Sequence, residues 1–343
     1  MSLSAQDAIS AQIDYIGRAA EGLLWSPASS LSIWVIGFAM LIAASWICIT
    51  RRHLPSLRYL RRILLPKSYL TGRSAVADWI MLAVSYLVLP VTWIATIFST
   101  VVISGSLVEL LASASGKAAV LDVSPETGRA ITTLVAFLAY ELMYWFDHWL
   151  MHRVPFLWEF HKVHHSAETL SPVTTYRMHP VDGYLYFALN SLALGGSIGL
   201  CLWLFGPQAT PLTIDGTNLI LLLGSYLIVT LQHSHIWIPF RGDLGRFILS
   251  PAHHQIHHSA DPKHFGTNLG NLLAIWDVLF GTLHEPSRRS PNLRFGVDGL
   301  NHDPHSLFGL YFAPFGDAAK HIKRNHPGEI ATADEEKGQF QPQ

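Results

Sequence analysis

The chain has 343 residues, of which 50% are hydrophobic and only 14% charged, with a formal net charge of −1. An ordinary soluble domain carries about 25% charged residues, so this composition belongs to the membrane class. A net charge near zero supplies no field for nucleic acid, and the two cysteines, Cys48 and Cys201, lie in apolar runs that suit neither a disulfide framework nor a cysteine metal site.

In chain order, residues 1–30 are mixed, with Asp7, Asp14, Arg18 and Glu21 interrupting the apolar positions. That pattern lacks the basic start and apolar core of a cleavable leader and predicts an amphipathic helix at a membrane surface. A helix crossing the hydrocarbon core needs about 20 mostly apolar residues. Five stretches qualify, at 31–50, 79–104, 130–150, 184–205 and 218–236. The second contains Pro90, which predicts a kink or a tilt. The expected fold is all-α: a membrane bundle of four or five transmembrane helices with a histidine-rich helical cap over residues 31–326, followed by a disordered polar tail at 327–343.

Orientation follows from the basic loops. Arg51, Arg52, Arg58, Arg61, Arg62, Lys67 and Arg73 lie between the first two stretches with no acid among them, which marks the cytoplasmic side. Alternating from that anchor puts the N-terminus outside and gathers the regions rich in histidine on the cytoplasmic face.

Histidine is the anomaly in the composition. Of 19 histidines, 12 fall between His148 and His258. His148 and His152 stand at i and i+4 at the end of the third apolar stretch. His161, His164 and His165 follow as H-x-x-H-H, and His254, His257 and His258 repeat that spacing. Residues at i, i+3 and i+4 share a helix face, where imidazoles can reach one metal. His253 offers an i+4 alternative to His257, while His233 and His235 stand at the end of the fifth stretch. Eight box histidines exceed the four ligands of a zinc site, so two adjacent ions fit the count better. A zinc-dependent membrane hydrolase would carry H-E-x-x-H, which is absent from the sequence. A metal transporter would need polar groups deep within the spans rather than at one end.

The three boxes, with their surroundings, resemble the fatty acid hydroxylase superfamily, which includes sterol desaturases and sphingolipid hydroxylases. The residues that carry the resemblance run from Tyr144-Trp145-Phe146-Asp147-His148 and Trp158-Glu159-Phe160-His161 through Arg177-Met178-His179-Pro180 and Gln232-His233-Ser234 to Ser250-Pro251-Ala252-His253-His254 and Ile275-Trp276-Asp277. It extends over roughly residues 79–314 and is specific for the superfamily, not for the substrate.

The resemblance implies two iron ions held by His148, His152, His161, His164, His165, His254, His257 and His258, with His233 as a further ligand. O2 would be the co-substrate and a membrane lipid the substrate, hydroxylated or desaturated. His179, His235 and His253 are candidates for an additional ligand or an outer partner, and Asp147, Glu159 and Asp277 are candidate carboxylates behind ligating imidazoles. Glu141, an acid within the third stretch, is expected to face the bundle interior. No C-x-x-C pair, fused haem domain or G-x-G-x-x-G loop supplies electrons. A separate ferredoxin-, rubredoxin- or cytochrome b5-like donor is therefore expected. The expected location is a bacterial inner membrane, with the active site on its cytoplasmic side.

Overall fold

The computed structural model describes residues 5–51, 55–87, 99–117 and 119–324. The tail expected at 327–343 and Pro90 lie outside the described residues. Among the described residues the chain is mostly helical, and its one sheet is a two-stranded hairpin. Two helices among the described residues are long and apolar enough to cross a bilayer, Ile33–Arg51 and Pro180–Phe205.

The chain enters through α1 (Ala5–Trp25) and α2 (Ile33–Arg51). Val35, Ala39, Ala43 and Ile47 recur every fourth residue in α2 and form its buried stripe, while Trp34, Phe38 and Leu41 are exposed. Small α3 (Leu57–Leu64) starts on an N-cap, with the Ser56 hydroxyl accepting from the Tyr59 amide at 3.3 Å. Its Leu60, Ile63 and Leu64 pack on the α2 stripe, and Arg58, Arg61 and Arg62 stay outside that contact. After α4 (Ser68–Thr71) comes α5 (Arg73–Leu87).

The stretch at 79–104, expected as one span with a kink or a tilt, is not one helix. Ser99 has extended backbone and a new helix, α6 (Thr100–Ser115), begins after it. The packing of α6 on α9 (Pro180–Phe205) explains why this segment has its own axis. A Cβ on Gly195 would meet the Ile103 Cβ at 2.6 Å, and one on Gly199 would meet the Ser104 carbonyl oxygen at 2.8 Å. Glycines four residues apart let the two backbones approach, as membrane helix pairs require.

The longest helix among the described residues is α7 (Pro125–Arg153), 29 residues or about 43 Å at 1.5 Å per residue. Ser124 caps it and Pro125 occupies the first turn, where a missing N–H costs nothing. It stops because Pro155 forces the preceding residue out of the helical region, and Val154 is extended at φ −95°, ψ 111°. The chain turns there and restarts as α8 (Pro155–His165), which brings the second histidine box back beside the first.

The fifth stretch, expected at 218–236, is shorter as a helix. A hairpin pairs Thr213–Ile214 with Thr217–Asn218 around Asp215 and Gly216, both at positive φ. The helix α10 then runs only over Leu219–Gln232, with a π-helical turn at Ser225–Val229, and ends on His233 as its C-cap. Fourteen residues span about 21 Å, short of a hydrocarbon core of about 30 Å. The rest of the chain builds the cap: α11 (Gly242–Phe247), α12 (Pro251–His257), α13 (Ile275–Phe280), α14 (Leu307–Tyr311) and α15 (Ala313–Arg324).

Candidate metal centre

Four segments deliver imidazoles to one buried volume. The end of α7 supplies His148 and His152, and α8 supplies His161, His164 and His165. The C-cap of α10 is His233, and α12 with its own C-cap gives His254, His257 and His258. All nine are buried. Their nitrogens fall into two groups, within each of which every ligand atom lies within 4.8 Å of the others. One group holds His148, His152, His161, His165 and His257, and the other holds His164, His233, His254 and His258.

The H-x-x-H-H boxes were expected to present one face, but each is divided between the groups. The i, i+4 members stay together, as His161 with His165 and His254 with His258, while the intervening His164 and His257 go to the opposite group. The cause is helix geometry: adjacent positions diverge by about 100° around the axis, whereas i and i+4 nearly coincide. Each box therefore straddles both groups and ties them together.

Hydrogen bonding among the rings cannot account for the arrangement. The Nε2 atoms of His233, His254 and His258 form a triangle with sides of 3.0, 3.2 and 3.1 Å, and His164 Nε2 lies 3.2 Å from His233 Nε2. A neutral imidazole has one N–H, and three mutually facing nitrogens cannot all be satisfied by such donors. In the other group, His148 Nε2 lies 3.1 Å from His161 Nε2, and the Nε2 atoms of His165 and His257 are buried with no hydrogen-bond partner. Neighbouring ligands about 2.1 Å from a common ion are separated by about 3.0 Å at right angles and about 3.4 Å in a tetrahedron. The observed separations match a ligand shell.

The outward nitrogens show which lone pairs face inward. His148 Nδ1 lies 2.8 Å from the Leu269 carbonyl and His257 Nδ1 2.9 Å from the Thr267 carbonyl. A carbonyl only accepts, so each Nδ1 carries the proton and each Nε2 lone pair points into the group. His161 Nδ1 donates to Asp182 at 2.8 Å, and His233 Nδ1 pairs with the Thr175 hydroxyl at 3.1 Å. Burial, followed by the neighbouring imidazoles, holds His164, His165, His254 and His258 well below the ordinary histidine range. Burial likewise takes His257 down to about 3. These rings are neutral at physiological pH, the state in which imidazole binds metal.

The backing carbonyls sit on a loop that two carboxylates hold. Asp277 is fully buried and accepts from the Leu269 amide at 2.7 Å, the Gly270 amide at 2.9 Å and the Thr282 hydroxyl at 2.6 Å. Glu141 accepts from Asn271 Nδ2 at 2.8 Å and from the Leu272 and Leu273 amides at 3.0 and 2.7 Å. Neither touches an imidazole of the two groups in these bonds. They fix the strand of loop that carries Leu269 and Thr267.

The remaining candidates lie outside both groups. His179 caps α9, its Nδ1 accepting from the Val181 amide at 3.1 Å and its Nε2 donating to the Tyr311 carbonyl at 3.2 Å. His235 Nε2 donates to the Ile63 carbonyl at 2.7 Å. His253 belongs to a capping box with Ser250. Glu159 pairs with Lys162 and with His321. Asp147 is buried, and its Oδ1 has no hydrogen-bond partner.

Sequence reasoning missed Asp182 and Thr175. Asp182 stands just past the quoted Arg177–Pro180 element, in the first turn of α9, where an acid is also favoured by the helix dipole. That local explanation masks its long-range role.

Comparison with known proteins agrees with this geometry. The fatty acid hydroxylase family profile matches residues 133–282. An ornithine lipid hydroxylase from Rhizobium tropici is 29% identical over 173 residues, covering 50% of this chain and 46% of the relative. An alkylglycerol monooxygenase from Danio rerio is 28% identical over 187 residues, covering 54% and 36%, and a lathosterol oxidase from Mus musculus is 29% identical over 165 residues, covering 46% of each. The chain thus spans less than half the length of each of these curated relatives. No solved structure gives a significant match. The matched segment contains every histidine of the two groups, and over it the chain is similar to the fatty acid hydroxylase family.

Proposed function

We propose that the two groups bind a pair of iron ions and that the protein uses O2 to hydroxylate or desaturate a C–H bond in a membrane lipid. The observation that carries this reading is the pair of adjacent buried groups, of five and four imidazoles, whose facing nitrogens cannot satisfy one another with protons. An unactivated C–H bond resists acid–base chemistry, and a redox metal pair supplies the oxidising power that side chains lack. The names of the relatives, a hydroxylase, a monooxygenase and an oxidase acting on lipids, support the same reaction class.

The chain's own residues hold and insulate the centre. His161 is oriented by Asp182, and His148 and His257 by loop carbonyls, so three imidazoles are locked in one tautomer. Trp158, 5% exposed, packs 5.2 and 5.4 Å from the His152 and His165 rings and excludes water from that side. Electrons come from a separate carrier protein. The bundle crosses the membrane four or five times with the histidine ends on the cytoplasmic side of a bacterial inner membrane. The unbroken basic run from Arg51 to Arg73 supports that orientation. A zinc hydrolase is disfavoured, because no carboxylate belongs to either group.

Metal analysis of protein purified without added metal should give two irons per chain, with turnover requiring O2 and a reductant. One zinc per chain with turnover independent of O2 would overturn the reading. Comparing lipids of cells with and without the gene should show one class gaining an oxygen or losing two hydrogens. Asp182→Ala should lower metal affinity by about 10–100-fold, the usual effect of removing an outer partner. Metal retention against a chelator measures it, and unchanged retention would remove Asp182 from the centre.

A further inference from the structure

Two apolar patches on the cap remain largely exposed and take no part in the metal centre. In the first, Leu244 and Phe247 on α11 join Leu279 and Phe280 on α13, and each side chain is more than half exposed. Arg241 and Arg246 are exposed beside them. In the second, Leu307, Phe308 and Phe312 are equally exposed at α14, with the two phenylalanine rings stacked.

Each patch is anchored to a helix of the bundle, and the anchoring says what covers it. Phe280 stacks on Trp145 of α7 at 4.2 Å between ring centroids. Along α7, Leu134, Leu138, Leu142 and Phe146 are exposed at four-residue intervals and form one stripe that runs up to this stack. The second patch is held through Leu310, which is fully buried against Ala77 and Met81 of α5. Trp145 lies eight residues from the charged end of α7 at Arg153, and Met81 lies eight residues from the charged end of α5 at Arg73. Both anchors are thus about 12 Å inside their helices. An exposed apolar surface continuous with helices of a membrane bundle, at matched depth and edged by Arg241 and Arg246 at the first patch, fits the headgroup–acyl boundary.

We infer that the cap rests on the lipid bilayer through these two patches, and that the bilayer surface is their partner. This rests on reading the chain as a membrane protein and adds that the cap itself dips into the lipid. A lipid substrate then reaches the buried histidines without leaving the bilayer for water.

The test uses the full chain in lipid nanodiscs, with Cys48 and Cys201, the two native cysteines, replaced by alanine. Single cysteines at Phe280→Cys and Phe312→Cys carry an environment-sensitive fluorophore. Ser290→Cys, on an exposed loop, is the aqueous control, and Leu41→Cys, exposed on α2, is the bilayer control. A spin label near the top of the acyl chains should quench positions 280 and 312 by about twofold or more, as it does position 41, while iodide quenches only position 290. Iodide quenching at 280 and 312, or shielding there from both quenchers, would overturn the inference, the latter by showing a protein covering. Loss of lipid quenching at position 41 as well would overturn the membrane reading itself. If a phenylalanine replacement fails to fold, Leu279→Cys and Phe308→Cys report on the same patches. Metal content of the same samples reads the metal assignment separately.

Discussion

Replacing His164 by alanine is expected to abolish lipid oxidation while leaving the chain in the membrane. His164 belongs to the smaller group, so its removal leaves three imidazoles, and its Nε2 is 3.2 Å from that of His233. Losing a direct ligand should cost more than the roughly 10–100-fold in metal affinity that loss of an outer partner costs. Folding should suffer less, because a buried neutral imidazole facing other imidazoles gains little from them without an ion. Metal content per chain and lipid product, measured on the same membranes, check this. Full activity with undiminished metal would remove His164 from the ligand set. The contrasting variant is His179→Ala. Both ring nitrogens of His179 are already engaged, one as the cap of α9. Its loss should lower thermal stability by about 1 kcal/mol and leave metal content unchanged.

The second large effect is structural. Arg177→Met is expected to destabilise the fold by about 3–5 kcal/mol, the cost of breaking a buried ion pair from one side. The guanidinium is completely buried and pairs with Asp78 at 3.0 Å. It also donates to the Val163 carbonyl at 2.9 Å, the Ser74 carbonyl at 3.2 Å, the Ser166 hydroxyl at 2.9 Å and the Pro304 carbonyl at 2.8 Å. One side chain therefore ties α8, the start of α5 and the segment before α14 together. Removing it strands the Asp78 carboxylate and several carbonyls. Thermal unfolding in detergent measures the loss. The double variant Arg177→Met with Asp78→Leu should recover part of it, since the stranded charge is gone. Equal stability of Arg177→Met and the unmodified chain would show that the pair contributes nothing.

Much of the candidate site was legible in the sequence. The i, i+4 spacings of His148 with His152, His161 with His165 and His254 with His258 are local facts of helix geometry. The boundaries beside them are local too: Pro155 ends α7 and starts α8, and the Ser250-Pro251 pair starts α12. Apolar stretches predicted α2 and α9 closely, because a long run without charge has few alternatives. The run at 79–104 misled, since hydropathy does not register the extended Ser99 or the packing of Gly195 and Gly199 on α6. The run at 218–236 misled because hydropathy continues past the point where His233 leaves the helix.

Sequence by itself determined which residue types could bind metal and which i, i+4 pairs stay together within each box. Only the tertiary structure decided how they divide between two groups and what backs them: Asp182 behind His161, the Leu269 carbonyl behind His148, and Glu141 and Asp277 behind the loop. Local periodicity follows from the backbone of a single helix. Partnerships between residues more than a hundred positions apart, such as His148 with Leu269, depend instead on where separate helices stop and turn.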